Sequence, residues 1–211
     1  MSMDWEPEAA TLAAQVTDPA SRWRGPVSST PRHLFVPRWW RHLEPHGWTL
    51  RQGIADERRW MTAAYSDRSL VTRVGARHAD HASPDDHPAG RPTSSSTMPG
   101  LVVRMYQHAQ LGDGADILDV GTGSGYGCAL LARRLGDQHV TSIDIDSYLT
   151  EAAARRLDQA GLHPVIATGD ATGPLPGSYD ACRGCARARD HACWTWHRTA
   201  VGARTCASLC R

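Results

Sequence analysis

The sequence predicts an α/β fold, a parallel sheet whose strands alternate with helices, and three observations carry that prediction. Three strand-length apolar segments alternate with two stretches of helical periodicity between residues 115 and 167. The first of these strands runs directly into a turn holding Gly121, Gly123 and Gly125. Acids stand at the ends of the first two strands, Asp119 and Asp144. Alternation of this kind implies parallel strands joined by right-handed crossovers.

Along the chain, residues 1–75 are rich in Trp, Arg and Pro and read as an N-terminal helical cap. Ala9, Leu12, Ala13 and Val16 repeat at the three-four spacing of a helix over 8–16. The Trp39-Trp40 pair and Trp48 read as packing for this region. Residues 76–97 hold turn formers, three histidines (His78, His81, His87) and almost nothing apolar, which predicts a solvated polar loop. From 98 to 180 a regular core is expected. Leu101, Val102, Met105 and Ala109 share a helical face over 98–110, and Pro99 suits its first turn, where a missing N–H costs nothing. Residues 115–120 form a strand, 126–135 a helix, and 139–143 a second strand. Ser147 can cap a third helix carrying Leu149, Ala152, Ala153 and Leu157, closed by Gly161, and 164–167 make a third strand.

Composition narrows the function classes. The formal charge is +1, so nothing draws the whole chain to nucleic acid or an anionic membrane. No apolar run approaches the roughly 20 residues of a spanning helix, and the acidic N-terminus lacks the basic and apolar regions of a secretory signal. A cytoplasmic protein is expected. Five of the six cysteines crowd into the last thirty residues, unlike a disulfide framework spread over a small secreted fold.

The chemistry centres on Asp119-Val120-Gly121-Thr122-Gly123-Ser124-Gly125-Tyr126. A ligand at the carboxyl end of parallel strands needs backbone without side chains in its way, and three glycines provide it. A dinucleotide fingerprint places its third glycine where this chain has Tyr126, so a pyrophosphate cradle fits poorly. S-adenosylmethionine, which has no phosphate, fits better. Asp144, 25 residues beyond Asp119, is placed to accept the ribose hydroxyls, and Asp170, after the third strand, can close over the adenine. Each has an ordinary alternative, Asp144 as a helix cap and Asp170 as a turn former.

These residues resemble the protein-L-isoaspartate O-methyltransferase family. Gly121-Thr-Gly-Ser-Gly-Tyr126 is similar to its glycine motif, Arg32-His-Leu-Phe-Val-Pro37 to its N-terminal motif, and Ala64-Tyr-Ser-Asp-Arg-Ser-Leu70 to the segment that follows. Its Ser-x-Pro substrate motif falls on Thr97-Met98-Pro99. The resemblance covers about 32 to 180. It implies a Rossmann-like class I methyltransferase sheet that binds S-adenosylmethionine through Asp119, Gly121, Thr122, Gly123, Ser124, Gly125, Tyr126, Asp144 and Asp170. It further implies carboxyl methylation of an aspartyl or isoaspartyl residue in a protein or peptide, with Thr97 holding the acceptor carboxylate; Thr97 as a helix N-cap is the plainer reading. The methyl ester then cyclises to a succinimide. The run Ser94-Ser-Ser-Thr97 and the long segment before it also resemble a bacterial subgroup that methylates aspartate in ribosomally made peptides.

Residues 181–211 depart from this pattern. The family continues after its Tyr-Asp, here Tyr179-Asp180, with a fourth strand, whereas this chain has Ala-Cys-Arg-Gly-Cys-Ala. The expectation is a disordered tail produced by a change of reading frame, an incomplete sheet with its first strand at an open edge, and a remnant that at most binds S-adenosylmethionine as the alternative to an enzyme. A zinc site built from Cys182 and Cys185 with Cys193, His191 or His197, and Cys206 and Cys210 is the rival, with intervals too irregular for a small metal domain.

Overall fold

The computed structural model describes residues 4–172, 178–184 and 194–197. The chain divides into two compact units, Met1–Val102 and Val103–Arg211.

In the first unit, helices α1 (Glu6–Val16), α2 (Arg24–Ser28) and α3 (Arg32–Phe35) precede a hairpin of β1 (Arg38–Leu43) and β2 (Gly47–Gln52). Helix α4 (Glu57–Ala64) and strands β3 (Leu70–Val74), β4 (Arg77–His78) and β5 (Pro92–Ser96) follow, and then the first turn of α5 (Pro99–His108). The strands run antiparallel in the order β2-β1-β3-β4, with β5 also on β3. Trp40, Leu50, Val74, Ala79 and Ala82 form a core against this sheet, with Trp48 and Val71 packed on it. The expected helical cap is therefore helices plus an antiparallel sheet.

The polar loop expected over 76–97 is corrected as well. Arg77–His78 and Pro92–Ser96 pair with β3, and buried His78 accepts the Asp80 amide on Nδ1. Five residues without one large apolar side chain become a strand because β3 supplies their hydrogen bonds; strand preference depends on the partner more than on intrinsic propensity.

One side chain joins three segments of this unit. Arg32 is fully buried, and its guanidinium donates to the carbonyls of Ala64 (2.8 Å), Ser66 (2.9 Å), Arg68 (2.8 Å), Ser96 (3.4 Å) and Thr97 (3.3 Å). A planar fork with several fixed donors suits diverging carbonyls in a way that a point-like ammonium does not. Nearby, His33 Nδ1 and Tyr65 Oη share a hydrogen bond of 2.7 Å, and the imidazole meets the Trp60 ring edge-on at 5.3 Å.

In the second unit, the rest of α5 leads to β6 (Ile117–Val120), α6 (Tyr126–Leu135), β7 (Val140–Asp144), α7 (Ser147–Gln159), β8 (Val165–Thr168), β9 (Ala181–Gly184) and β10 (Trp194–His197). The sheet order is β10-β9-β6-β7-β8; β9, β6, β7 and β8 are parallel, and β10 runs antiparallel on β9. The α/β class, the three expected parallel strands and the two helices between them agree with the sequence. Every residue of β6 is buried, as a strand covered on both faces requires. Asp146, not Ser147, caps α7, its carboxylate accepting the Tyr148 amide at 3.0 Å.

The expected open edge at the first strand is overturned. Asp180 donates its amide to the Asp116 carbonyl at 2.8 Å, while its Oδ2 accepts the Asp116 amide at 3.0 Å. That reciprocal pair starts β9 beside β6, and Ala181 and Cys182 are buried there. Cysteine packs as a small hydrophobe, so two residues provide the cover that a longer apolar run was expected to give. The zinc alternative involves Cys185, His191, Cys193, Cys206 and Cys210, which lie outside the described residues.

Two outcomes test the first unit. Replacing Arg32 with Lys leaves carbonyls in the interior without their donors and costs about 3 kcal/mol or more of unfolding free energy, read as a lower urea midpoint. Burial holds His33 below the ordinary imidazole range of about 6.5. The unfolded chain then takes up a proton before the folded one does. The stabilisation is complete above about pH 6.5 and is lost as pH falls through the window beneath it. Melting temperatures between about pH 7.5 and 5 should fall more steeply for the native chain than for His33→Gln.

Candidate functional site

The turn from β6 to α6 lies at the carboxyl end of the parallel strands. Gly121, Gly123 and Gly125 have φ of 89°, 53° and 90°, values that L side chains rarely adopt. The chain doubles back over β7 here: the amides of Gly121 (2.7 Å) and Thr122 (3.2 Å) both donate to the Ile143 carbonyl, and the Gly125 amide closes onto the Thr122 carbonyl at 2.9 Å. Gly125 begins α6 in the left-handed region and offers no side-chain cap. Tyr126 is only 2% exposed, so a phenol fills the position where a dinucleotide fold requires a third glycine. Its neighbour Gly127 is fixed through its carbonyl, which accepts the Tyr106 hydroxyl at 2.8 Å.

Asp144 ends β7 with its carboxylate against the turn. Oδ2 accepts the Gly123 amide at 3.0 Å and Oδ1 the Asp146 amide at 3.1 Å. Its own carbonyl accepts the Gly169 amide at 2.9 Å, which ties the strand end to the loop after β8. Asp119 is buried beneath the turn, where its Oδ2 accepts the Ser142 hydroxyl at 2.8 Å. Thr122 Oγ1 and Ser142 Oγ are 2.7 Å apart. Ser124 is buried, and its hydroxyl makes a long contact of 3.5 Å with the Tyr126 amide.

The structure thus brings Asp119, Gly121, Thr122, Gly123, Ser124, Gly125, Tyr126 and Asp144 together. Asp170 follows Gly169, whose amide meets the Asp144 carbonyl, and takes its own hydrogen bonds from Thr172. It is exposed, and its Oδ1 accepts both the amide and the hydroxyl of Thr172 at 2.8 Å, an Asx-type turn whose hydrogen bonds hold the carboxyl below its usual range. Ser142 and Ile145 escaped the sequence reading. A single serine inside a strand has no flag, whereas Ile145 was detectable in principle as an apolar residue directly after a strand-ending acid. It is 73% exposed.

Thr97 belongs to the first unit, at the junction of β5 and α5. Its carbonyl and that of Ser96 accept from Arg32. The Met98 amide donates to Ser69 Oγ at 3.0 Å and the Gly100 amide to Asp67 Oδ1 at 2.7 Å. A Cβ on Gly100 would come within 2.7 Å of Asp67 Oδ2, so the glycine lets a carboxylate seat on the first turn of α5, where negative charge is favoured. The motifs around Arg32 and over 64–70 are thus bonded to each other and to the backbone on both sides of Thr97.

The family model for protein-L-isoaspartate(D-aspartate) O-methyltransferase matches residues 63–180. A protein-L-isoaspartate O-methyltransferase of Ignicoccus hospitalis is 35% identical over 152 residues, 71% of this chain and 54% of the relative. One from Pyrococcus horikoshii is 39% identical over 98 residues, 44% of this chain and 42% of the relative. The chain spans about half the length of the curated relatives it matches. A solved protein-L-isoaspartate O-methyltransferase shares the fold with a TM-score of 0.54 at 20% identity, covering 83% of this chain and 46% of that one. Matched by one family model over more than half its length, the chain belongs to the protein-L-isoaspartate(D-aspartate) O-methyltransferase family.

Proposed function

We propose that the chain binds S-adenosylmethionine at the turn between β6 and α6 and methylates the free carboxylate of an aspartyl or isoaspartyl residue in a protein or peptide. The observation that carries this is the turn itself, three glycines at positive φ followed by buried Tyr126, with the Asp144 carboxylate on the Gly123 amide. Such a turn leaves room for a nucleoside close to the backbone and provides no pyrophosphate cradle. The family's named activity supports the same reading.

When bound, S-adenosylmethionine supplies a methyl group on a sulfonium, which an ionised carboxylate takes by direct displacement while sulfur keeps the electron pair. No general base is required, so the protein's work is alignment and exclusion of water. A carboxylate has about four lone-pair sites. Asp144 can therefore keep its two amide partners and still accept the ribose hydroxyls. Ile145, apolar and exposed beside it, offers a surface to the adenine, and Asp170 is left with Oδ2 for the exocyclic amine. Thr97, on a backbone held by Arg32, Ser69 and Asp67, is the residue proposed to orient the acceptor carboxylate. The Ser-Ser-Ser-Thr segment makes an aspartyl site in a ribosomal peptide a second acceptor to try beside isoaspartate.

Among the described residues no helix is long and apolar enough to cross a membrane.

Calorimetric titration with S-adenosylhomocysteine should give saturable binding, weakened about tenfold or more in Asp144→Ala, which loses charged hydrogen bonds to the ribose. Transfer of labelled methyl to an isoaspartyl or aspartyl peptide is expected from the native chain. Thr97→Val should lower that rate about tenfold with donor affinity unchanged, and Thr97→Ser should retain it. Binding without transfer to either peptide would reduce the protein to a donor-binding module.

A further inference from the structure

Ser142 is a fully buried hydroxyl in the middle of β7, in register with Asp119 of β6. It touches two of the residues at the glycine turn, and the proton count fixes how. A serine hydroxyl has one proton to give. Ser142 gives it to Asp119 Oδ2, at 2.8 Å. At the 2.7 Å contact with Thr122 it can then only accept, so Thr122 Oγ1 is the donor. The result is a directed chain, Thr122 to Ser142 to Asp119, running under the turn between two adjacent strands.

We infer that Ser142 is a positioning residue for the methyl donor, acting through Thr122 and the glycine turn without touching the donor itself. Thr122 is β-branched, so a hydrogen bond that holds Oγ1 also holds the methyl group and restricts the backbone that bears them. The amide of the same residue donates to the carbonyl of Ile143, the next residue of β7 after Ser142. One residue further, Asp144 takes the Gly123 amide. Three consecutive residues of β7 therefore grip three consecutive residues of the turn, by side chain, by main chain and by side chain again. Glycines give the turn its clearance at the cost of its own stiffness. The stiffness comes from β7, and Ser142 is the part of that grip that no glycine motif records. Asp119 then belongs to the same device, as the fixed acceptor at its inner end.

The inference rests on the proposal that the turn holds S-adenosylmethionine, and its test separates the two. The native chain, Ser142→Ala and Ser142→Thr are compared by amide hydrogen exchange, by titration with S-adenosylhomocysteine and by thermal melting. In Ser142→Ala, exchange over 120–126 should quicken about tenfold and the ligand's Kd rise about tenfold, while amides of α7 keep their protection. Ser142→Thr, which restores a hydroxyl on a strand-compatible side chain, should recover both. Unchanged exchange and affinity in Ser142→Ala overturns the inference. So does a loss of protection spread evenly through the unit, α7 included, because the serine would then only fill the core. If the native chain itself does not bind the ligand at millimolar concentration, the functional proposal fails and the donor role with it. Quickened exchange with unaltered affinity overturns the donor role alone.

Discussion

The carbonyl oxygen of Ile143 accepts two successive amides, those of Gly121 and Thr122, and the architecture of the second unit hangs on that atom. It marks where β6 stops being a strand and becomes a turn, because the amides that would continue the ladder bend over the end of β7 instead. Everything at the site is placed relative to it. Ser142 lies just before it and Asp144 just after it. A side chain on any of the three glycines would force the turn out of the left-handed region and off this carbonyl. The loss of conformational freedom that glycine suffers on ordering is offset by bonds to a strand that the sheet already holds rigid.

Arg32 plays a comparable part in the first unit by a different chemistry. There the pinned object is an irregular backbone, and the pin is a buried guanidinium facing carbonyls from α4, from the segment before β3 and from the end of β5. A charge in the interior is tolerable only when its donors are satisfied in good geometry. The two units thus rely on opposite devices: one carbonyl collecting amides, and one cation collecting carbonyls.

How much of this was legible in the sequence follows from where the stabilising bonds come from. The strands from β6 to β8 and their helices were visible because each carries its own apolar periodicity, such as Ile117, Leu118 and Val120, all buried. The glycines and Asp144 were visible because their spacing is dictated by a ligand at a strand end. Strand β5 was not, since Pro92-Thr-Ser-Ser-Ser has no apolar alternation and takes its order from β3. Strand β9 was not, because Ala181 and Cys182 are too few to read as a run and because the instruction to pair sits in Asp180, a residue that reads as a turn former. Ser142 was invisible for a related reason: its partners are 20 and 23 residues away, and nothing local announces them. The shift of the α7 cap from Ser147 to Asp146 is the ordinary uncertainty of helix ends.

The reciprocal bonds between Asp116 and Asp180 carry a consequence for how the outer half of this sheet is aligned. A strand aligned by the residue just before it has its register set at the start, and a slip of one position would break both bonds at once. Register is thereby separated from cover: the anchor sets which residues face each other, and the small side chains of Ala181 and Cys182 have only to fill the space against the neighbouring strand.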